Sequence, residues 1–165
     1  MRRSAFATRV GYVAAPVNRL LLVVKNERDL REAISQLSVV GFDQVVGYLD
    51  GGMATWQEAE LPVQQLSQIT VETLDSMRYD LIILDVRDQN EWEEGHIKGA
   101  KHIPYYFLEQ RLQEVDTTQP MAVICASGQR SSIACSLLLR RHFTQLYNVI
   151  GGMEAWEQAG FEKHV

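Results

Sequence analysis

Gly51-Gly52-Met53-Ala54-Thr55-Trp56-Gln57-Glu58-Ala59 recurs a hundred residues later as Gly151-Gly152-Met153-Glu154-Ala155-Trp156-Glu157-Gln158-Ala159. A self-match at so long a spacing means two copies of one structural unit. The match extends upstream: Leu20 to Val24 lies opposite Pro120 to Ile124, and Gly41-Phe42 lies close to His142-Phe143. With 165 residues the chain cannot hold two whole units of that length. The first copy begins about where the second has reached Lys101, so the expected division is a partial segment over residues 1–64 and a complete domain over residues 65–165.

The complete copy reads as alternating strands and helices. Thr70 caps a short helix with Val71, Leu74 and Met77 at helical spacing. Leu81 to Leu84 is a continuous apolar run ending at Asp85, as for a strand buried on both faces. Asp88 to Glu94 is a short helix closed by Gly95, and Lys101 to Ile103 a brief strand after which Pro104 opens a helix. Met121 to Ile124 is a buried strand, Arg130 to His142 a helix and Leu146 to Ile150 a third strand, before the Gly151-Gly152 turn and a final helix bearing Trp156. This alternation predicts an α/β fold, a parallel sheet with helices on both faces. Reactive groups in such sheets gather beyond the carboxyl ends of the strands, where Asp85 and Cys125 both stand.

Composition narrows the function classes. A net charge of −5 without clustered Lys or Arg argues against nucleic acid as a partner. The first 26 residues carry Arg2, Arg3, Arg9, Arg19 and Lys25 without an acid. Arg9, Asn18 and Arg19 interrupt the apolar stretch there, so it is read as part of the fold, not as a targeting signal. No apolar run reaches the ~18 residues of a membrane span. Two cysteines ten residues apart form neither a disulfide framework nor a metal-ligand pattern, and a reducing cytoplasm is the expected location.

One of those cysteines has a particular setting. Cys125 ends a buried strand and begins the loop Cys125-Ala126-Ser127-Gly128-Gln129-Arg130, which runs straight into a helix. A helix N-terminus offers unpaired N–H groups and partial positive charge, which stabilise an anion. Gly128 lets the loop curl so that N–H groups converge, and Arg130 adds a full charge. A cysteine so placed is expected to titrate well below the free value of ~8.5 and to act as a thiolate nucleophile. The bland alternative, a small buried hydrophobe, is the usual fate of a free cysteine. The glycine-bearing loop and Arg130 tip the reading toward the nucleophile.

The ordered set Asp85-Val86-Arg87, Glu91-Trp92, Gly95-His96-Ile97, Gly99-Ala100, Ile103-Pro104, Cys125 to Arg130, and Gly151-Gly152 with Trp156 resembles the rhodanese family, over about residues 67–163. The resemblance implies a rhodanese fold and a sulfurtransferase without metal or organic cofactor. Cys125 would take a sulfane sulfur from a small donor, thiosulfate or a persulfide, and pass it from a cysteine persulfide to a thiol or cyanide. The related cell-cycle phosphatases look like Cys-x5-Arg, a cradle sized for phosphate. The Cys-x4-Arg spacing here resembles the sulfur-transferring branch. A competing reading from another class is a non-catalytic rhodanese-like interaction module.

The remaining candidates read as supporting structure. Asp85 and Arg87 are expected to pair with each other or with Glu91 and stiffen the floor of the site. Cys135 lies ~15 Å along the helix from Cys125, too far for a resolving thiol. His96 and His102 lack a metal-ligand pattern. Tyr105, Tyr106 and Phe107 either line the mouth of the site or pack a helix start on the sheet.

In the first copy Lys25 is aligned with Cys125, and Lys25-Asn26-Glu27-Arg28-Asp29 replaces the loop, so this copy is expected to be silent. The segment from Ser4 to Pro62 is similar to the inactive rhodanese-homology linker of bacterial fusions that join a metallo-β-lactamase-fold persulfide dioxygenase to a terminal rhodanese. The partners this implies are an upstream dioxygenase-like domain or, because an incomplete sheet leaves an open edge, a second copy of the chain.

Overall fold

The computed structural model describes residues 6–116 and 118–165. Arg2, Arg3 and the Ser4-Ala5 start of the linker resemblance lie outside the described residues. The chain divides into two compact units, one ending at Gln64 and the other beginning at Gln65.

The first unit runs α1 (Phe6–Val13), β1 (Leu20–Val23), α2 (Glu27–Val39), β2 (Val45–Leu49) and α3 (Gly52–Glu58). Asn26 starts α2 by accepting the Asp29 N–H at 3.0 Å, with Glu27 and Asp29 supplying the acids that suit a helix N-terminus. β1 and β2 form a parallel two-stranded sheet. Leu37 of α2 and Phe42, in the connection before β2, are the most deeply buried side chains of the unit.

The second unit is β3 (Ser67–Ile69), α4 (Val71–Met77), β4 (Ile82–Asp85), α5 (Gln89–Glu93), β5 (Lys101–His102), two 3-10 helices (Tyr105–Gln110 and Leu112–Glu114), β6 (Met121–Ile124), α6 (Gln129–Arg140), β7 (Leu146–Val149) and α7 (Gly152–Gln158). Its sheet has the order β3-β7-β6-β4-β5, every neighbouring pair parallel. All four residues of β6 are buried, as the unbroken apolar run requires. One face packs Ile69, Leu74, Leu81, Ile83, Ala122, Ile124, Val149, Met153 and Trp156 into a single core. α6 packs against β6, β7 and the first 3-10 helix. The helix-flanked parallel α/β sheet is the fold class that the alternation predicts. Two elements differ from the sequence reading. β3 is an extra edge strand, three residues long and polar at Ser67 and Gln68, which leaves no apolar run to detect. Pro104 opens a 3-10 helix, not the α-helix expected, and the Tyr105 N–H at its start, which has no partner within a helix, is tied to the Val86 carbonyl at 3.2 Å.

The same hydrogen bonds recur within each unit. Leu20 N–H donates to Gln44 at 2.8 Å, and Met121 N–H donates to Gln145 at 2.9 Å. Phe42 N–H reaches Leu37, and Phe143 N–H reaches Leu138. The Trp56 indole donates to the Pro62 carbonyl at 3.0 Å, and the Trp156 indole to the Glu162 carbonyl at 3.1 Å. The first two pairs are offset by 101 positions and the third by 100. The β1–β2 ladder steps from Leu20↔Val45 to Leu21↔Gly47, so Val46 is the bulged extra residue that restores the offset. By this register Val24, not the Lys25 read from sequence, is the residue of the first unit that matches Cys125 in its place relative to the strand ladder and the twin glycines. A Cβ on Gly52 would lie 2.9 Å from the Val24 carbonyl oxygen, as one on Gly152 would lie 2.2 Å from that of Cys125.

Candidate active site

Cys125 leaves the carboxyl end of β6, the middle strand, between β4 and β7. Gly128, at φ +92°, turns the chain into α6, a conformation that side chains strain to adopt. The turn brings the Gly128 N–H onto Cys125 Sγ at 3.2 Å. The sulfur thus sits before the first turn of α6, where a helix presents its unpaired N–H groups.

The loop is held from behind by α7. Met153 N–H donates to the Cys125 carbonyl at 2.8 Å, and Glu154 N–H to the Ala126 carbonyl at 2.9 Å. A side chain on Gly152 would collide with the backbone of Cys125 and Ala126 at 2.2–2.6 Å. The Gly-Gly-Met sequence is therefore the seat of the cysteine loop, a role hidden in the sequence because the two segments meet only in the fold.

Arg130 turns to carboxylates. Its guanidinium donates to Glu91 at 2.5 and 2.7 Å and to Asp88 at 3.0 Å. The hydrogen bond to Glu91, strengthened by the charges of Glu91, Cys125 and Asp88, holds Arg130 firmly protonated. Burial works against ionising Glu91, but its bonds to Arg130 and to the Asp88 backbone outweigh that and keep its carboxyl below the usual range. The full positive charge expected beside the sulfur is thus largely compensated. Ser127 and Gln129 are exposed, and Ala126 is half-buried.

Asp85 and Arg87 pair with each other, one of the two arrangements anticipated. Arg87 Nε lies 3.0 and 2.9 Å from the two Asp85 oxygens, and its Nη2 donates at 2.7 Å to Asp85 and 2.9 Å to the Gly95 carbonyl. Both are buried. They brace the turn after β4, whose Val86 N–H reaches the Ile124 carbonyl one residue before the cysteine. Trp92 stacks between His96 and His102, with ring centroids 3.6 and 4.7 Å away, and the His102 Nε2 lies 2.8 Å from the Arg87 carbonyl. These histidines are consumed in packing the same turn.

Cys135 is fully buried on α6, and burial, with the charge of Cys125 added, pushes its thiol up to about 12. Tyr105 is buried, whereas Phe107 is nearly half exposed.

Ser131 at the sulfur, and Asn148 behind it, were missed by sequence reasoning. Ser131 Oγ lies 3.4 Å from Cys125 Sγ and 2.6 Å from Asn148 Oδ1. Both side chains are buried. The only available signal was a serine and an asparagine inside otherwise apolar core segments, each of which a half-buried surface position would explain equally well.

Residues 70–159 match the Rhodanese-like domain family. The thiosulfate sulfurtransferase GlpE of Pseudoalteromonas translucida is 35% identical, over 57% of this chain and 88% of its own length. The uncharacterized protein YqhL of Bacillus subtilis is 40% identical, over 45% of this chain and 59% of its own. Among solved structures, a rhodanese-related protein from Thermoplasma volcanium superposes with a TM-score of 0.56 at 28% identity, covering 59% of this chain and 97% of its own. A rhodanese-like domain protein from Staphylococcus aureus does so with a TM-score of 0.53 at 29% identity, covering 61% and 100%. By the match over residues 70–159, and by the fold that carries it, the chain belongs to the rhodanese-like domain family.

Proposed function

We propose that this protein is a sulfurtransferase in which Cys125 carries the sulfur. The supporting observation is the seat of the thiol: Sγ at the end of a buried strand, before the first turn of α6, accepting the Gly128 N–H at 3.2 Å. In the first half-reaction the Cys125 thiolate attacks the outer sulfur of thiosulfate or of a small persulfide. A sulfur–sulfur bond forms on Cys125 while the donor's bond breaks, and sulfite or a thiolate leaves with the electron pair. In the second half, cyanide or a thiolate attacks the outer sulfur, and the pair from the broken bond returns to Cys125 as thiolate. No oxidant enters either step. The helix terminus and the loop N–H groups stabilise the negative sulfur. Asp85, Arg87 and Arg130 hold the loop in place. GlpE of P. translucida, by its name, uses thiosulfate, and this chain covers most of that protein's length.

The complete burial of Cys125 favours a second reading, a non-catalytic interaction module whose thiol is never reached. One experiment separates the two. After exposure to thiosulfate, mass spectrometry of the Cys125 peptide is expected to show a gain of one sulfur atom, reversed by cyanide. A peptide left unchanged by thiosulfate and, separately, by glutathione persulfide establishes the module.

We further infer that residues 1–64 are an incomplete, silent copy of the domain at residues 65–165. The recurring hydrogen bonds, the twin glycines and the tryptophan support this. Val24, Leu30 and Tyr48 occupy the positions of Cys125, Ser131 and Asn148, so the framework is kept and the chemistry is gone.

A further inference from the structure

The Ser131 hydroxyl has one hydrogen and two buried acceptors. Cys125 Sγ is 3.4 Å from its oxygen and Asn148 Oδ1 is 2.6 Å away. Ser131 is fully buried and Asn148 nearly so. Ser131 stands in the first turn of α6 and Asn148 on β7, so two different elements converge on the hydroxyl that reaches the sulfur. With the sulfur as a thiol, the arrangement is complete: the S–H points at Ser131 Oγ and the hydroxyl donates to Asn148. With the sulfur as a thiolate, that hydrogen is most valuable on the sulfur, because hydrogen bonds to charged acceptors are roughly twice as strong as neutral ones.

Resting on the sulfur-carrying role proposed above, we infer that Ser131 is a catalytic donor to the Cys125 thiolate and that Asn148 is the positioning residue that holds the hydroxyl between turnovers. The state of Cys125 decides where the hydrogen goes. As a persulfide, Sγ is bonded to the outer sulfur and the negative charge resides on that outer atom, so the hydroxyl returns to Asn148. When the acceptor attacks the outer sulfur, the breaking bond delivers its pair to Sγ, and the hydroxyl swings to meet the charge as it develops. Stabilisation that appears only as the charge appears lowers the barrier of that step. Ser131 therefore serves the discharge of the persulfide above all. The proposed silent copy is consistent with this by contrast: Leu30 and Tyr48, which have neither a short hydroxyl nor an amide, accompany Val24 at the cysteine position, while the glycines and tryptophan remain.

The test is single-turnover kinetics on the full chain, following the one-sulfur mass gain on the Cys125 peptide during loading by thiosulfate and its loss on adding cyanide. Ser131→Ala is expected to load to at least the wild-type extent but to discharge at least tenfold more slowly, so that persulfide accumulates. Ser131→Thr restores the hydroxyl and is expected to recover most of the rate. The two substitutions at Asn148 should move in opposite directions. Asn148→Ala frees the hydroxyl for the sulfur and is expected to discharge measurably faster than the wild type, whereas Asn148→Asp anchors it to a carboxylate and discharges slowly. A merely structural role would impair both. Discharge of Ser131→Ala at the wild-type rate overturns the inference, as does equal slowing in Asn148→Ala and Asn148→Asp. Failure of the wild type to load from either thiosulfate or glutathione persulfide overturns the sulfurtransferase reading itself, and with it this role.

Discussion

Arg130 and Glu91 are joined by two short hydrogen bonds, 2.5 and 2.7 Å, between residues thirty-nine positions apart in the chain. The pair ties the start of α6 to α5, and so fixes the loop that begins at Cys125 against the turn that follows β4. It also gives Arg130 a mainly architectural task. A guanidinium with Glu91 and Asp88 both in contact contributes little net positive charge to a neighbouring sulfur.

The pair should be visible in the acid limb of stability. The folded protein holds Glu91 below the ordinary carboxylate value of ~4.3. Stability from this group is then fully present above that value and is lost as pH falls through the lowered folded value. The wild-type melting temperature is expected to be flat down to about pH 5 and to decline below about pH 4. Glu91→Gln should melt lower at pH 7 and lose less on acidification, so the two curves converge. Parallel curves from pH 7 to pH 3 would contradict the assignment.

The two cysteines should separate cleanly. At pH 8 a small alkylating agent or a sulfur donor is expected to modify Cys125 and spare Cys135, whose thiol is held at about 12 by burial. Cys125→Ser should abolish sulfur uptake with the fold retained. Cys135→Ser should keep uptake and cost about 1–3 kcal/mol, because a hydroxyl replaces a thiol in an apolar site. Peptide mapping and denaturant melts of both variants make the measurement. Equal sulfur uptake by both would refute the assignment of the nucleophile.

Much of this site was legible in the sequence, and the reason is local. Cys125, Gly128 and the start of α6 lie within a few residues, so the strand-loop-helix pattern carries their geometry. The Asp85–Arg87 pair is equally local, two residues apart. What the sequence could not convey depends on contacts across the sheet. Gly152 seats the loop from twenty-seven positions away, Asn148 holds Ser131 from seventeen, and Glu91 claims Arg130 from thirty-nine. The difference between Lys25, aligned with Cys125 in the sequence, and Val24, aligned with it by the ladder register, has a physical source too. A fixed spacing of one hundred residues hides the bulge at Val46, and only the ladder register exposes it.

The Asp85–Arg87 pair predicts a stability defect distinct from any loss of chemistry. Both groups are buried, and Asp85 accepts from Arg87 through three nitrogens, one of them its backbone amide. Removing one partner leaves a buried charge without compensation, which typically costs about 3–5 kcal/mol. Arg87→Ala should therefore lower the urea midpoint strongly. Arg87→Lys should recover only part of that, since an ammonium cannot reproduce the fork that spans Asp85 and the Gly95 carbonyl. A midpoint for Arg87→Ala within error of the wild type would show that the pair is dispensable.

The first unit carries the remaining prediction, through one face of its small sheet. Leu21 and Val23 are 65% and 52% exposed, while the residues that the proposed copy relationship matches to them, Ala122 and Ile124, are fully buried. The difference has a cause. Ala122 and Ile124 share a core with Leu74 of α4 and with Leu81 and Ile83 at β4, and the first unit has no counterpart of α4 or β4 among the described residues. β1 therefore presents an unpaired edge, which in β6 is paired with β4, together with an exposed apolar face. Such a surface favours association, and a second copy of the chain is the partner proposed here, because the same edge and face on two chains can cover each other about a two-fold axis. Light scattering at micromolar concentration is expected to report a dimer. Leu21→Lys with Val23→Glu should return it to a monomer while sulfur uptake at Cys125 is unchanged. A wild-type monomer at all concentrations would dismiss self-association through this face, and a dimer that survives the double substitution would place the contact elsewhere.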